Sequence, residues 1–470
     1  MTSGETGYDR VRYPSGVYAT SDPSRLAALA QIHGLDAPDP ATARVLEIAG
    51  GDGANVIAMA AAWPQARFVS FDLAPTAVAE GQAIARAAGL ANVEVIDGDI
   101  VALAETMEGP FDFVLAHGLY AWVPEPVRRA TMRLIGRVLA EQGIAFVSYN
   151  ALPGCHMRRA VRDMLLHHLR GEADPQRRIA LAREKLTAFS QERAEDRTPQ
   201  AGLRAVAKAM LAKTDAVLFH DELGEVYEPQ SLRAVVDAAA AEGLAYLNDA
   251  SPTMIRDGLP GAHVAEADVV DVAQADDYDV GVFFHRTLFV RAGRVPVRDV
   301  VPAHFRGVLA NTALRPAGNG RFAAGEQSIE LDDERLIGVL TAMAKVSPWR
   351  LPLDSIADSA DHCAALVDLA ARDLVVFHAV QMPAVTAPGP RPRVSALLRQ
   401  QLARALATVH SPDFRVVGLD DPGVRQFLML LDGSRGRADL ERDWAQSGFA
   451  DTISAENALA EVARAGLLIG

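Results

Sequence analysis

Apolar positions in the first third of the chain come in short runs separated by longer amphipathic stretches. Residues 45–48 form an apolar run that enters a small-residue turn, Ala49-Gly50-Gly51-Asp52-Gly53, and the Ala-rich apolar residues 56–62 open a helix behind it. The same alternation predicts a strand over 67–72, a helix over 76–88 closed by Gly89, and strands over 93–96 and 111–117. A helix over 126–141, ended by Gly143, and a strand over 144–149 complete the series. Strands of four to seven residues alternating with helices predict βαβ units and a doubly wound α/β sheet.

Beyond residue 150 the pattern becomes mainly helical. Residues 158–214 are rich in Arg, Ala and Leu, with the charged stretch 191–197 reading as a solvated loop. Residues 231–243 carry helical apolar spacing at Leu232, Val235, Val236 and Ala239, and a short strand is expected over 244–247. Helices over 332–345 and 361–372 followed by a strand over 374–378 suggest a winged-helix-like unit. Its second helix is acidic to neutral, so a protein contact or packing role is expected there in place of DNA. Four prolines (Pro383, Pro388, Pro390 and Pro392) stiffen a linker, and residues 395–470 read as helical. The expected organisation is therefore 1–160, 161–300, 301–385 and 386–470, an α/β domain followed by mainly helical accessory domains.

Chemistry enters at the carboxyl ends of the expected strands. Glycines at a strand-to-helix turn let the backbone approach a ligand, since no Cβ stands in the way. Neither GxGxxG nor the GxxxxGK[ST] phosphate loop is present; the turn is Glu47-x-Ala49-x-Gly51-x-Gly53. Asp72 ends the second strand 19 residues after Gly53, where an acid in a doubly wound sheet accepts from ribose hydroxyls. Asp99 and Ile100 follow the third strand; each of these acids has helix capping as its ordinary alternative. The fourth strand runs into His117-Gly118-Leu119-Tyr120-Ala121-Trp122, where aromatic faces suit a cation and Tyr or His can hydrogen-bond an incoming amine. For Trp122 the alternative is packing against the next helix. Near the N-terminus Tyr8, Tyr13 and Tyr18 precede a helix capped by Ser21 or Asp22, and Tyr13 is a candidate lid residue or a simple anchor.

The motif Glu47 to Asn55 resembles motif I of class I S-adenosylmethionine (SAM) methyltransferases. His117 to Pro124, then Val147 to Gly154, then a long helical segment, resemble bacterial methyltransferases with a regulatory domain, among them the rickettsial-type protein lysine methyltransferases. That group carries LELGCGDGGN where this chain has LEIAGGDGAN, so Ala49, Gly50 and Ala54 depart from it, as does Cys155, where the group has Trp. The resemblance implies a Rossmann-like fold and SAM as cofactor, held by Tyr13, Glu47, Ala49, Gly51, Asp52, Asn55, Asp72, Leu73, Asp99, Ile100 and His117. It implies methyl transfer to a protein or peptide, with His117, Tyr120 and Trp122 at the acceptor. A small-molecule or peptide natural-product N/O-methyltransferase and a non-catalytic SAM-fold scaffold stand as alternatives. His220-Asp221-Glu222-Leu223 and Phe284 to Leu288 extend the resemblance beyond the catalytic segment.

Composition narrows the partners. The chain has 470 residues and a net charge of −14, with Lys+Arg 46 against Asp+Glu 60, so it lacks the basic footprint of a nucleic-acid binder. Two cysteines, Cys155 and Cys363, exclude a disulfide framework and suit a reducing compartment. The opening residues lack a basic-plus-apolar leader pattern, and no apolar run reaches membrane-spanning length. A cytoplasmic enzyme without a metal, bound to no membrane or nucleic acid, is expected, with room left for a homodimer.

Overall fold

The structure is a computed structural model that describes residues 11–470 apart from 12, 15, 192, 194–196, 252–268, 407 and 450–452. Tyr8 lies outside the described residues. Five parallel strands follow the expected alternation: β1 (Arg44–Ile48), β2 (Arg67–Asp72), β3 (Val93–Asp97), β4 (Phe111–Ala116) and β5 (Leu139–Asn150). The intervening helices are α2 (Ala54–Ala62), α3 (Pro75–Ala87), α4 (Ile100–Thr106) and α5 (Glu125–Val138), and α1 (Pro23–Ile32) precedes the sheet. The interior strands are apolar on both faces, as a sheet covered by helices on each side requires. Helix α5 stops three residues before the expected boundary, and β5 begins directly at Leu139, so Gly143 lies within the strand.

Two further strands complete the sheet, β6 (Leu244–Asp249) and β7 (Phe284–Arg291), giving the order β3-β2-β1-β4-β5-β7-β6. They come from the segment expected as a middle domain. Strand β7 runs antiparallel to β5, with Phe284 opposite Asn150, and β6 runs antiparallel to β7. The carboxyl ends of β1 to β5 therefore share one edge with the start of β7. Helix α10 (Leu232–Ala240) and helix α11 (Val269–Val280) cover this part of the sheet, with Leu232, Val235, Val236 and Ala239 all buried, as their spacing predicts.

Four helices form a separate small core: α6 (Cys155–His168), α7 (Pro175–Phe189), α8 (Thr198–Leu211) and α9 (Asp215–Leu223). Val161, Leu165, Ile179, Leu186, Met210 and Leu218 meet in it. The next unit pairs β8 (Leu309–Thr312) with β13 (Val375–His378) and the two-residue β12 (Leu351–Pro352), beside a meander of β9 (Arg315–Gly318), β10 (Arg321–Ala324) and β11 (Gln327–Glu330). Its helices are α12 (Glu334–Val346) and α13 (Ala360–Ala371). The charged pair Asp22–Arg350, 3.6 Å apart with both side chains buried, ties this unit to the cap of α1. The C-terminal segment combines helices α14 (Ala396–Ala403), α15 (Pro422–Leu430), α16 (Arg437–Ala445) and α17 (Ala455–Arg464) with short paired strands.

Candidate functional site

The carboxyl edge of the sheet gathers the expected site around the turn after β1. Gly51 and Gly53 adopt φ of 62° and 67°, and Ala49 shares this left-handed conformation at 55°. An alanine there carries a steric cost that glycine would not. Each glycine has its own reason. A Cβ on Gly50 would stand 2.2 Å from Ser70 Oγ, and one on Gly53 would stand 2.9 Å from Val95 Cγ2. A Cβ on Gly51 would meet nothing within 4 Å, so this backbone faces open space. Helix α3 presses against the turn from outside, since a Cβ on Gly81 would sit 2.0 Å from the Asp52 carbonyl oxygen.

Asp72 holds the turn in shape. Its carboxylate accepts from the Gly51 N–H at 2.8 Å and from the Ala74 N–H at 2.9 Å. Burial raises its pKa above the ordinary aspartate value despite these bonds. Leu73 beside it is 60% exposed, an apolar surface next to two acids at the mouth of the sheet. Asp99 is exposed, and its side chain accepts from the Val101 N–H at 2.7 Å, so the geometry makes it the N-cap of α4. Half-buried Ile100 opens that helix.

Glu47 and Asn55 face inward. Asn55 donates from Nδ2 to Glu47 Oε1 at 2.8 Å and to Ser21 Oγ at 3.2 Å, and Ser70 donates to Glu47 Oε2 at 3.3 Å. The Tyr18 N–H donates to Asn55 Oδ1 at 2.9 Å. Burial pushes the Glu47 carboxyl up to about 7, with the Asn55 and Ser70 bonds pulling the other way. Buried Asp52 accepts from the Ala54 N–H at 3.1 Å.

The loop after β4 splits its three candidates. His117 stacks on Tyr18, with ring centroids 3.6 Å apart and planes 14° apart. Burial lowers its pKa to about 4, and the charge of Arg286 acts in the same direction, so its ring is neutral at pH 7. Tyr120 is buried in the core beside Tyr149, at 6.1 Å, and burial pushes its hydroxyl up to about 12. Trp122 packs on Tyr227 at 4.8 Å, and the guanidinium groups of Arg158 and Arg162 lie over its ring at 5.3 and 5.6 Å. Arg158 also bonds Glu222 at 2.8 Å, which joins the β4 loop to α6 and α9.

Tyr13 does not share the Tyr18 position. Its hydroxyl donates to Asp221 Oδ1 at 3.3 Å, and its ring meets the edge of His220 in α9. Tyr18 and Ser21, absent from the expected site, are the residues that reach the glycine turn. An aromatic segment before the first strand was visible, but the tyrosine that turns inward depends on the bond to Asn55.

These residues fit a nucleoside-bearing cofactor. Gly51 presents open backbone, Asp72 and Asp99 offer carboxylate oxygens, and Leu73 and Ile100 offer apolar surface for a base. A cleft of about 730 Å³ lies elsewhere, at the amino ends of the strands, lined by Asp36, Asp112, Glu141 and Arg294 among others.

Comparison with known proteins agrees with the geometry. An uncharacterized protein of Rickettsia prowazekii is 34% identical over 274 residues, 58% of this chain and 49% of that protein. The match thus spans about half the length of that relative. The structure of PKMT2 from Rickettsia typhi superposes with a TM-score of 0.81, covering 97% of this chain and all of that one at 21% identity. Its complex with AdoHcy gives 0.78 at the same identity and coverage. At that identity the likeness speaks for the fold. Residues 45–143 match the family described as "Methyltransferase domain", the same segment that carries the open glycine turn and its strand-end acids. Residues 45–143 of this chain are thus a methyltransferase domain, in the Rossmann-like fold that the structural likeness shows.

Proposed function

We propose that the protein transfers a methyl group from SAM to an amine of a protein or peptide, a lysine side chain in the first instance. The observation that carries this reading is the carboxyl edge itself, where the open Gly51 turn braced by Asp72 shares its mouth with the Tyr18–His117 stack. When bound, SAM supplies an electrophilic methyl group on a cationic sulfonium. Asp72 and Asp99 would accept from the ribose and the base amine, with Leu73 and Ile100 against the ring. A neutral His117 puts no positive charge beside the sulfonium, and the Tyr18 ring offers its face to a cation.

A lysine amine with a pKa of about 10.4 must lose its proton before it attacks. Burial beside a cation lowers that pKa. The phenols at this site are poor proton acceptors, since burial raises both Tyr18 and Tyr120. The proton therefore leaves through a carboxylate or water, and the chain contributes alignment and exclusion of solvent.

Support for a protein acceptor comes from the resemblance to the rickettsial-type lysine methyltransferases and from the fold shared with PKMT2 along nearly the whole chain. The net charge of −14 opposes binding to a phosphate backbone. Two free, buried cysteines suit the cytoplasm, and no helix among the described residues is long and apolar enough to cross a membrane.

The test has two stages. Calorimetry with S-adenosylhomocysteine should show binding to the wild-type chain; no binding at millimolar ligand would refute the reading. Incubation of labelled SAM with proteins from a strain lacking the gene should then give methylated lysine on hydrolysis. Label found only in small molecules would favour the natural-product alternative.

A further inference from the structure

The last turn of α11 and the link from it to β7 present apolar side chains from a firmly held backbone. Tyr278, Val280 and Phe283 are 63%, 74% and 68% exposed. The backbone beneath them is pinned: Gly281 and Val282 donate to the Asp277 carbonyl at 2.9 and 3.1 Å, while Ala151 and Gly154 donate to the carbonyls of Phe283 and Val282, both at 2.9 Å. The approach is so close that a Cβ on Gly154 would stand 2.4 Å from the Gly281 carbonyl oxygen. Three large side chains are thus displayed on a rigid support. Large apolar side chains left exposed on a fixed backbone mark interaction surfaces.

Its place in the fold matters more than its hydrophobicity. Because β7 is antiparallel to β5, the start of β7 stands at the edge where β1, β4 and β5 end. Phe284 is two strands from the strand that ends before His117, about 10 Å at the spacing of neighbouring strands. A side chain entering beside His117 would leave its chain neighbours within reach of this turn. Asp276 and Asp279 add negative charge there, and neither has a hydrogen-bond or ion-pair partner among the described residues.

We propose that Tyr278, Val280 and Phe283, with Asp276 and Asp279, hold the basic and apolar residues that flank the acceptor lysine of a protein substrate. The proposal rests on the protein methyl transfer proposed above and names how its acceptor is held. The occupant follows from charge: unpaired carboxylates and a net charge of −14 favour a basic segment and oppose a second copy of this acidic chain.

The probe is a fluorescein-labelled peptide, Gly-Arg-Leu-Lys-Leu-Arg-Gly, measured by anisotropy with S-adenosylhomocysteine present. The double substitution Tyr278→Ser/Phe283→Ser removes no charge, so non-specific attraction is untouched. It should weaken peptide binding by about tenfold or more with cofactor affinity unchanged. Asp276→Asn/Asp279→Asn keeps the apolar surface and should weaken it by about fivefold while flattening its salt dependence. Circular dichroism checks that each variant folds, and the second pair alone decides if the first does not. Equal peptide affinity in the folded variants would overturn the proposal, as would a wild-type dimer in sedimentation that Tyr278→Ser/Phe283→Ser dissociates. Failure of S-adenosylhomocysteine to bind the wild-type chain would instead remove the methyl-transfer reading beneath it.

Discussion

The ring of Tyr18 lies flat on the imidazole of His117, centroids 3.6 Å apart, and so joins the N-terminal segment to the end of β4. The contact is held by the Tyr18 N–H on Asn55, which also bonds Glu47 at the glycine turn. The N-terminal aromatic segment, the glycine turn and the end of β4 are thereby one connected unit. Tyr18→Ala should weaken S-adenosylhomocysteine binding by about 1 kcal/mol through loss of the stack, and Tyr18→Phe should leave it nearly unchanged. Calorimetry on both variants checks this; equal losses would mean that the hydroxyl, not the ring, matters.

Asp72 braces the glycine turn and is the proposed ribose acceptor, and melting and calorimetry read the two roles separately. Asp72→Ala leaves the Gly51 and Ala74 N–H groups without their acceptor and removes the oxygens available to a ribose. Cofactor affinity should fall by about 2–4 kcal/mol. A thermal melt should show a smaller fall in stability alongside it, about 1–3 kcal/mol. Unchanged calorimetric affinity would remove Asp72 from the cofactor site.

Glu47 makes stability depend on pH in an unusual direction. Its folded-state pKa of about 7 lies above the ordinary 4.5, so the folded protein binds the proton more tightly than the unfolded chain does. Its contribution is most favourable below pH 4.5 and declines as pH rises toward 7, by on the order of 3 kcal/mol. Glu47→Gln keeps the Asn55 bond and cannot ionise. It should raise the melting temperature at pH 8 more than at pH 5.

His285 also loses its contribution as pH rises, but in a higher window. It bridges Asp249 at 3.1 Å and Asp277 at 2.9 Å, linking β6 and β7 to α11. Burial lowers its pKa, but the two carboxylate bonds prevail and carry it to about 9. The stability it contributes is fully present below pH 6.5 and is lost as pH rises through 9. Amide exchange in β6, β7 and α11, corrected for intrinsic rates, should therefore accelerate between pH 7 and 10, and His285→Gln should abolish that pH dependence.

Tyr120→Phe tests a catalytic phenol. With its ring in the core and its hydroxyl protonated up to about 12, the structure leads us to expect turnover within about threefold of wild type. A fall of about a hundredfold with unchanged cofactor affinity would restore Tyr120 to the reaction.

Much of the α/β domain was legible from residues near one another in the chain. The alternation of apolar runs and helices placed β1 to β5, and the glycines after Ile48 marked the turn, because strand, turn and helix preferences act over a few residues. Asp72 and Asp99 could be located for the same reason, although capping of α4 by Asp99 competes with any role toward a ligand. Tertiary structure decided the rest. Only the fold brings β7 back antiparallel to β5, places Phe283 at the carboxyl edge of the parallel strands and sends Tyr18, not Tyr13, onto His117. Trp122 shows the same limit, since its partners Tyr227, Arg158 and Arg162 belong to later segments. Such pairings are settled by burial and hydrogen bonding between distant segments, where many residues of similar type compete and local pattern carries no preference among them.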